Sequence, residues 1–392
     1  MQPRQIPAPD KALPPASAPP RARPELLHDL AVEAGFRFNG DDPWDIAVAD
    51  PRFYRRVAVQ GSLGLGEAYM DGWWECPRLD QLFHRLLSID ADRRIERWMH
   101  LRLLGAMARR VLFNPQSKSR AFMVGEHHYD IGNDVFEAML DSTMSYSCAY
   151  WARARSLDEA QRHKLDLICR KLELRPGERL LDIGCGWGGL ARFAAERYGV
   201  EVLGITVSRE QQQLALARCA GLPVRIELID YRDLTGHFDK VVSVGMFEHV
   251  GPRNHARFFA VVHRVLEDEG LLLLQTIGHH VATRQVDPWV NKYVFPNGHL
   301  PSAAEIAGVV EGRFLIEDWH NCGPDYDRTL MAWWDNFERA WPALRGKYGE
   351  RFFRMWKYYL LSCAGFFRAR QGQLWQLVMS KRIRSAVYRS VR

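Results

Sequence analysis

The hydrophobic pattern is most regular between residues 156 and 277, where short apolar runs alternate with amphipathic stretches. Ser156 and Glu159 fit a helix-capping box, and the apolar positions that follow predict a helix over 156–172. Further helices are predicted from about 190, over 209–218 and over 255–266. Strands are predicted at 179–183, 200–205, 224–229, 240–244 and 270–277. This alternation predicts a doubly wound α/β domain, in which helices cover both faces of a parallel sheet.

The chain before residue 128 has a different pattern. Residues 1–24 are rich in proline and alanine and are predicted to be a disordered tail. Residues 25–112 are mostly amphipathic and predict a smaller helical domain, in which the glycine- and aromatic-rich segment 61–75 is interpreted as an interruption by turns. Residues 113–127 are polar and poorly periodic, which is typical of a linker. We therefore predict that the α/β domain occupies 128–392.

Charge and cysteine content narrow the classes of function. The net charge is +6, and the stretches 97–125 and 378–392 contain basic but no acidic residues, which suits an anionic membrane surface. We expect no nucleic-acid partner. The seven cysteines lie far apart without a CxxC pair, which argues against a disulfide framework and a metal site and favours a reducing cytosol. Without a signal peptide or a long apolar stretch, any membrane contact is expected to be peripheral.

The strongest chemical signal is the turn after the first predicted strand, Leu-Asp-Ile-Gly-Cys-Gly-Trp-Gly-Gly at 181–189. Open α/β sheets bind ligands at this edge, and Gly184 and Gly186 let the backbone approach a ligand closely. With Gly189 the turn fits the G-x-G-x-x-G spacing of dinucleotide-binding folds, so dinucleotide binding stays open as an alternative. Asp182 before the turn favours another alternative, because the turn resembles that of class I methyltransferases. In those enzymes the carboxylate faces the methionine end of S-adenosylmethionine.

The next two predicted strands also end in polar residues. Nucleotide-binding folds usually place an acid after the second strand to hold ribose hydroxyls. Here Thr206, Ser208 and Gln211 stand in that region and are the candidates for this role. Asp230 and Tyr231 follow the third strand and are candidates to border an adenine ring. Each of these residues also has an interpretation as a turn or helix-capping residue.

An acid and a histidine follow the fourth predicted strand. Glu248 and His249 are expected at the same sheet edge, where such a pair can hold a proton relay or a small anion. A salt bridge at a helix start is the alternative interpretation.

From residue 26 to the C-terminus the chain resembles the cyclopropane-fatty-acyl-phospholipid synthases. The matching stretches are 61–75, 128–134, 146–151, the glycine turn, 243–251, 286–298, 317–320 and 361–370. Mycolic acid cyclopropane synthases resemble the catalytic part but have no comparable N-terminal domain, so segment 61–75 favours the phospholipid branch. The resemblance implies a Rossmann-like class I methyltransferase domain. It also implies transfer of a methyl from S-adenosylmethionine to a cis double bond of a phospholipid acyl chain, with loss of a proton to close the ring.

The resemblance also implies roles for individual residues. The family uses a bicarbonate ion as the base, in a cradle that carries over to Cys148, Glu248, Ile277 and Tyr326, with the cysteine and isoleucine contributing backbone groups. Gln275 stands where the family commonly has a histidine. The implied cofactor contacts are Tyr146, Ser147, Asp182, Gly184, Cys185, Gly186, Thr206, Ser208, Gln211, Asp230 and Tyr231.

Other implications of the resemblance are less specific. Cys363 matches a cysteine often assigned to the family's active site, although a packing role suits it better because methyl transfer to an alkene needs no covalent enzyme intermediate. The acyl channel is expected to use Phe295, Trp333 and Phe366. The helical domain is expected to engage the membrane or a second copy of the chain. Methyl branching, amine N-methylation and a catalytically inactive lipid-binding protein remain the alternative functions.

Overall fold

The computed structural model describes residues 24–89, 132–282 and 286–392. The predicted tail, the predicted linker and the basic stretch 97–125 therefore lie outside the described residues, apart from Pro24. The described chain divides into two compact units. Unit 1 contains residues 24–89, 287–296 and 330–371, and unit 2 contains 132–282, 286, 297–329 and 372–392. Two segments that the sequence analysis placed in the α/β domain, 287–296 and 330–371, thus group with the N-terminal residues.

Unit 1 is mainly helical. Its helices and strands are α1 (Pro24–Ala34), β1 (Ala47–Val48), α2 (Arg52–Met70), β2 (Trp74–Glu75), α3 (Leu79–Ser88), α9 (Pro288–Tyr293) and most of α11 (Gly323–Arg368). The turn interpretation of segment 61–75 is correct only for residues 71–73, because α2 kinks at Gly61 (φ 59°) but continues to Met70. Gly66 is in this helix for a packing reason: a Cβ atom there would lie 2.3 Å from the indole of Trp289.

Unit 2 contains the remaining elements. In chain order they are α4 (Asn133–Met139), α5 (Leu157–Lys171), β3 (Arg179–Ile183), α6 (Gly189–Tyr198), β4 (Glu201–Thr206), α7 (Arg209–Arg218), β5 (Val224–Leu228), β6 (Phe238–Val244), α8 (His255–Val265), β7 (Leu266–His279), α10 (Ala303–Val310), β8 (Leu315–Asn321) and β9 (Gly372–Ser380). All five predicted strands are present as β3 to β7. At the start of α5, Ser156 accepts a hydrogen bond from Glu159 N, but the Glu159 carboxylate accepts from Arg155 N rather than from Ser156 N. The capping box is therefore only half formed.

The sheet of unit 2 has seven strands in the order β5-β4-β3-β6-β7-β9-β8. Strands β3 to β7 run parallel, and β9 pairs antiparallel with both β7 and β8. Four successive leucines of β7, residues 271–274, are fully buried and alternate between the two core clusters on opposite faces of the sheet. Helix α8 covers one face, and α5 and α6 cover the other. The predicted doubly wound α/β class is confirmed, with β9 and β8 added at one edge, of which only β9 runs antiparallel to the other strands.

Candidate active site at the carboxyl edge of the sheet

The glycine turn lies between the end of β3 and the start of α6. Gly184, Gly186 and Gly188 have φ values of 84°, 56° and 80°, a left-handed region that favours glycine. The backbone N–H groups of Gly184 and Cys185 both donate to Ile205 O at 3.0 Å, which fixes the turn against the end of β4. A Cβ atom on Gly186 would meet no atom of the described residues within 4 Å. The turn therefore has room beside Gly186 for a ligand to approach the backbone.

Asp182 lies on β3 immediately before this turn. Its side chain is 2% exposed, and its Oδ2 atom has no hydrogen-bond partner among the described residues. Burial raises the pKa of Asp182 to about 7, while the ammonium of Lys164 acts in the opposite direction. A buried carboxylate oxygen without a partner costs free energy, so this atom is available to a polar ligand group that enters the site. Asp182 is thus suited to accept a hydrogen bond from a cofactor.

The end of β4 carries a compact hydrogen-bonded group. Thr206 Oγ1 donates to Gln211 Oε1 at 2.9 Å and accepts from Ser208 N at 3.1 Å. Ser208 caps α7 by accepting from Gln211 N at 3.3 Å, so the helix-capping interpretation applies to this residue. All three side chains are buried beside the glycine turn. Thr206 and Gln211 remain the candidates for ribose hydroxyls.

The residues after β5 have structural partners. The Asp230 carboxylate accepts from Arg232 Nε at 2.7 Å and Arg232 Nη2 at 3.0 Å, and it also caps the short 3₁₀ turn Tyr231–Asp233. The Tyr231 ring packs edge-to-face on Phe258 at 5.5 Å, and burial raises the pKa of its hydroxyl to about 12. The ion pair with Arg232 was not foreseen from the sequence, since two neighbouring charges alone do not show that both are buried.

Glu248 lies in the 3₁₀ turn Phe247–His249 that follows β6. Its Oε1 atom accepts a hydrogen bond from Ile277 N at 2.6 Å, which joins two members of the predicted anion cradle. Oε2 has no partner within the described parts of the chain, although the side chain is only 7% exposed. Burial raises the pKa of Glu248 to about 7. The adjacent His249 has its pKa lowered to about 4 by burial, so it is neutral near pH 7.

Cys148 lies beside the start of α11, the helix that carries Tyr326. The Cys148 thiol is buried, with its Sγ 4.0 Å from both Cys322 O and Thr329 Oγ1. Ala149 N also donates to Thr329 Oγ1, at 3.1 Å. Burial raises the pKa of the Cys148 thiol well above its usual value, so the side chain is an unreactive thiol. Thr329 was missed by sequence reasoning because its role depends on a contact across nearly two hundred residues.

Gln275 is part of a buried amide pair. Its Oε1 atom accepts from Gln376 Nε2 at 2.9 Å, and the two residues face each other across β7 and β9. Gln275 Nε2 has no hydrogen-bond partner among the residues described. Because successive side chains of a strand alternate in direction, Gln275 and Ile277 belong to the same face of β7. The amide N–H₂ is thus a buried donor on the strand that also binds Glu248.

Cys363 belongs to unit 1, whereas the residues above belong to unit 2. The residue is partly exposed, but its thiol is enclosed, and this burial raises the pKa of the thiol to about 12. It is therefore a poor nucleophile near neutral pH. Phe295, Trp333 and Phe366, the predicted channel residues, also belong to unit 1. In the described parts of the chain, no three His, Cys, Asp or Glu side chains are grouped to hold a metal ion.

The sequence matches known proteins along most of its length. The family model for mycolic acid cyclopropane synthetase matches residues 116–377. The cyclopropane-fatty-acyl-phospholipid synthase of Escherichia coli is 54% identical over 364 residues, covering 92% of this chain and 94% of that protein. The tuberculostearic acid methyltransferase of Mycobacterium tuberculosis is 35% identical over 372 residues, covering 87% of each.

Solved structures agree with these matches. The cyclopropane synthase MmaA2 from Mycobacterium tuberculosis superposes with a TM-score of 0.63 at 32% identity, covering 66% of this chain and 98% of that one. A mycolic acid cyclopropane synthase solved with SAH and CTAB has a TM-score of 0.62, with the same identity and coverage. The chain therefore belongs to the mycolic acid cyclopropane synthetase family of S-adenosylmethionine-dependent methyltransferases.

Proposed function

We propose that this chain is a cyclopropane fatty acid synthase that acts on phospholipid. It transfers the methyl carbon of S-adenosylmethionine to a cis double bond of an acyl chain and removes one proton to close the ring. The observation that carries the proposal is Glu248, a buried acid with one oxygen fixed by Ile277 N and the other without a partner among the described residues. The 54% identity to the Escherichia coli phospholipid enzyme supports the choice of substrate.

The cofactor site in this proposal follows the carboxyl edge of the sheet. S-adenosylmethionine, when bound, supplies an electrophilic methyl group on a sulfonium. Asp182 would accept a hydrogen bond from its methionine end, and the open space beside Gly186 lets the backbone approach it. Thr206 and Gln211 would meet the ribose. Holding an alkene in line with the methyl is mainly a matter of positioning, which a preformed buried site provides.

The proton must leave through a base. Bicarbonate is the base in this proposal, and it is supported by two of the buried polar atoms that lack partners in the described chain, Glu248 Oε2 and Gln275 Nε2. The raised pKa of Glu248 lets its carboxyl group hold a proton near pH 7 and so donate a hydrogen bond to an anion. Gln275 would donate through its amide, which Gln376 holds in place. His249 is neutral and supplies no charge to this site.

Purified protein with S-adenosylmethionine and vesicles of unsaturated phospholipid tests the proposal. We expect acyl chains that are heavier by one CH₂ unit and that resist mild hydrogenation, as a ring does and an alkene does not. A methyl-branched product would instead favour the branching alternative. An unchanged acyl profile, with S-adenosylmethionine bound, would favour the inactive lipid-binding alternative.

Gln275→Leu tests the amide as an anion ligand. We expect the bicarbonate concentration for half-maximal activity to rise about tenfold or more, because a hydrogen bond to a charged group contributes about 1.5–3 kcal/mol. Gln275→His, which restores the common family residue, is the matched variant and should keep or improve the wild-type requirement. The measurement is product formation in degassed buffer against added bicarbonate. An unchanged requirement in Gln275→Leu would remove Gln275 from the site.

A further inference from the structure

Helix α5 buries an ammonium and an amide on the face that packs against the sheet. Lys164 is 3% exposed and Gln161 is 0% exposed, and the two are three residues apart on one face of the helix. Burying an ammonium is costly unless its charge is compensated and its protons are hydrogen-bonded. The partners of Lys164 therefore indicate what the charge does.

Both side chains hold the segment 145–148, here termed the 145–148 loop. Gln161 Nε2 donates to Ser145 O at 3.2 Å and to Ser147 O at 2.8 Å. Lys164 Nζ donates to Ser147 Oγ at 3.1 Å. This loop contains Tyr146 and Ser147, which are predicted to contact the cofactor, and Cys148, which is predicted to border the anion. One helix face thus fixes the loop that links the two predicted ligand sites.

The charge of Lys164 also acts on the glycine turn. The groups that interact electrostatically with its ammonium are Asp141, Cys148 and Asp182, which belong to three separate segments of the chain. Lys164 is in turn the charge that opposes the effect of burial on Asp182. Burial lowers the pKa of Lys164 to about 8, so the ammonium is mostly charged at pH 7. Cys148 stays a neutral thiol because its pKa is raised well above its usual value.

We propose that Lys164 is a positioning residue for S-adenosylmethionine: it fixes Ser147 by a hydrogen bond, and its positive charge favours the carboxylate form of Asp182 that receives the methionine end of the cofactor. This inference rests on the proposed placement of the cofactor beside Asp182 and Ser147. Lys164 itself touches neither substrate in this account. Its effect is transmitted through the loop and through the carboxylate.

If the charge of Lys164 matters, affinity for S-adenosylmethionine should depend on pH in a way that a purely packing role does not predict. Without the ammonium, Asp182 keeps its proton to higher pH, because nothing else among its interacting groups opposes its burial. Affinity for S-adenosylmethionine should then fall at neutral pH and recover as the pH rises. In the wild type the same loss occurs only below about pH 7, where Asp182 becomes protonated. Above about pH 8 the wild-type Lys164 loses its own charge, so the difference between the wild type and the uncharged variants should close by pH 9. Lys164→Arg retains the charge and should follow the wild type up to about pH 8.

The experiment is calorimetric titration of S-adenosylmethionine into the full chain between pH 6 and pH 9. The variants are Lys164→Met, Lys164→Gln, Lys164→Arg, Gln161→Met and Asp182→Asn. We expect both uncharged Lys164 variants to bind at least about tenfold more weakly at pH 7, and to approach the wild type at pH 9. Gln161→Met loosens the same loop without removing a charge, so its loss should be nearly the same at every pH. Lys164→Gln still carries an amide donor for Ser147, so it removes the charge without removing the donor. It can therefore be used if Lys164→Met does not fold.

The outcomes distinguish a wrong role for Lys164 from a wrong placement of the cofactor. If Asp182→Asn loses affinity but the uncharged Lys164 variants match the wild type, the positioning role is wrong and the cofactor placement stands. If the Lys164 variants lose affinity equally at all pH values, as Gln161→Met should, Lys164 only packs the loop and the inference is again overturned. If Asp182→Asn binds as the wild type does, the cofactor placement itself is wrong and the role of Lys164 is overturned with it.

Discussion

Glu248→Gln is expected to lower the rate of product formation by about 10²–10⁴-fold, while affinity for S-adenosylmethionine stays near that of the wild type. The glutamine oxygen can still accept the hydrogen bond from Ile277 N, so the local geometry is retained. The amide cannot exchange a proton with an anion, and general acid–base catalysis contributes about this factor. Acyl products measured by mass spectrometry, together with calorimetric binding of S-adenosylmethionine, test this prediction.

The stability of the same variant provides its control. The pKa of Glu248 is raised in the folded protein, so the unfolded chain releases this proton at lower pH than the folded chain does. Ionisation of Glu248 therefore destabilises the fold as the pH rises from about 4.5 to about 7, by about 3 kcal/mol at most. Glu248→Gln removes this penalty and should melt at a higher temperature than the wild type at pH 8, but not at pH 4. A variant that loses activity, cofactor affinity and stability together would show that Glu248 is structural.

The second large effect is expected at the glycine turn, where Gly186→Ala should weaken S-adenosylmethionine binding about ten- to a hundredfold. A methyl group at this position meets no atom of the described chain within 4 Å, and in the proposed placement it would occupy space that the cofactor needs. The positive φ of 56° adds about 1–2 kcal/mol of strain. Calorimetric binding and thermal melting should therefore show a large loss of affinity with a moderate loss of stability.

Gly184→Ala is the matched variant. Its φ of 84° is also positive, but a Cβ atom there would lie 2.8 Å from Met246 Cβ. The clash is internal, so we expect a clearly larger loss of stability than in Gly186→Ala. If Gly186→Ala binds S-adenosylmethionine like the wild type, the cofactor does not approach this turn.

The central strands could be predicted because the protein buries them on both faces. A strand such as β7 needs apolar residues at successive positions, and its four buried leucines, residues 271–274, make that requirement visible. Strands β8 and β9 were missed because buried polar residues interrupt their apolar pattern. Strand β9 buries Gln376 as the partner of Gln275, and β8 buries Asp318 between Lys171 and Arg392 while exposing Leu315. In β8 a polar residue inside and an apolar residue outside conceal the period-two pattern, whereas in β9 the buried Gln376 interrupts a run that is otherwise apolar over 374–379.

The part of the candidate active site that could be predicted from the sequence is the part formed by residues at the ends of parallel strands. The sequence placed Asp182, Thr206 and Glu248 at one sheet edge because parallel strands end together. It did not show the hydrogen bond between Glu248 and Ile277, because the family resemblance implied only that the two residues border the same anion. Lys164 was missed because a single lysine in an amphipathic helix normally reaches solvent. Only the packed structure shows that this ammonium is enclosed.

Isotope-labelled cofactor tests the central claim most directly. The claim is that the methyl carbon of S-adenosylmethionine becomes the ring carbon of a cyclopropane on a phospholipid acyl chain. With a fully deuterated methyl group and vesicles of unsaturated phospholipid, ring closure removes one deuteron, so the product should retain two deuterium atoms on the new carbon and resist mild hydrogenation. A methylene branch would retain the same two deuterium atoms but would be hydrogenated. Retention of all three would show that a methyl branch forms instead, and acyl chains without deuterium would contradict methyl transfer to lipid altogether.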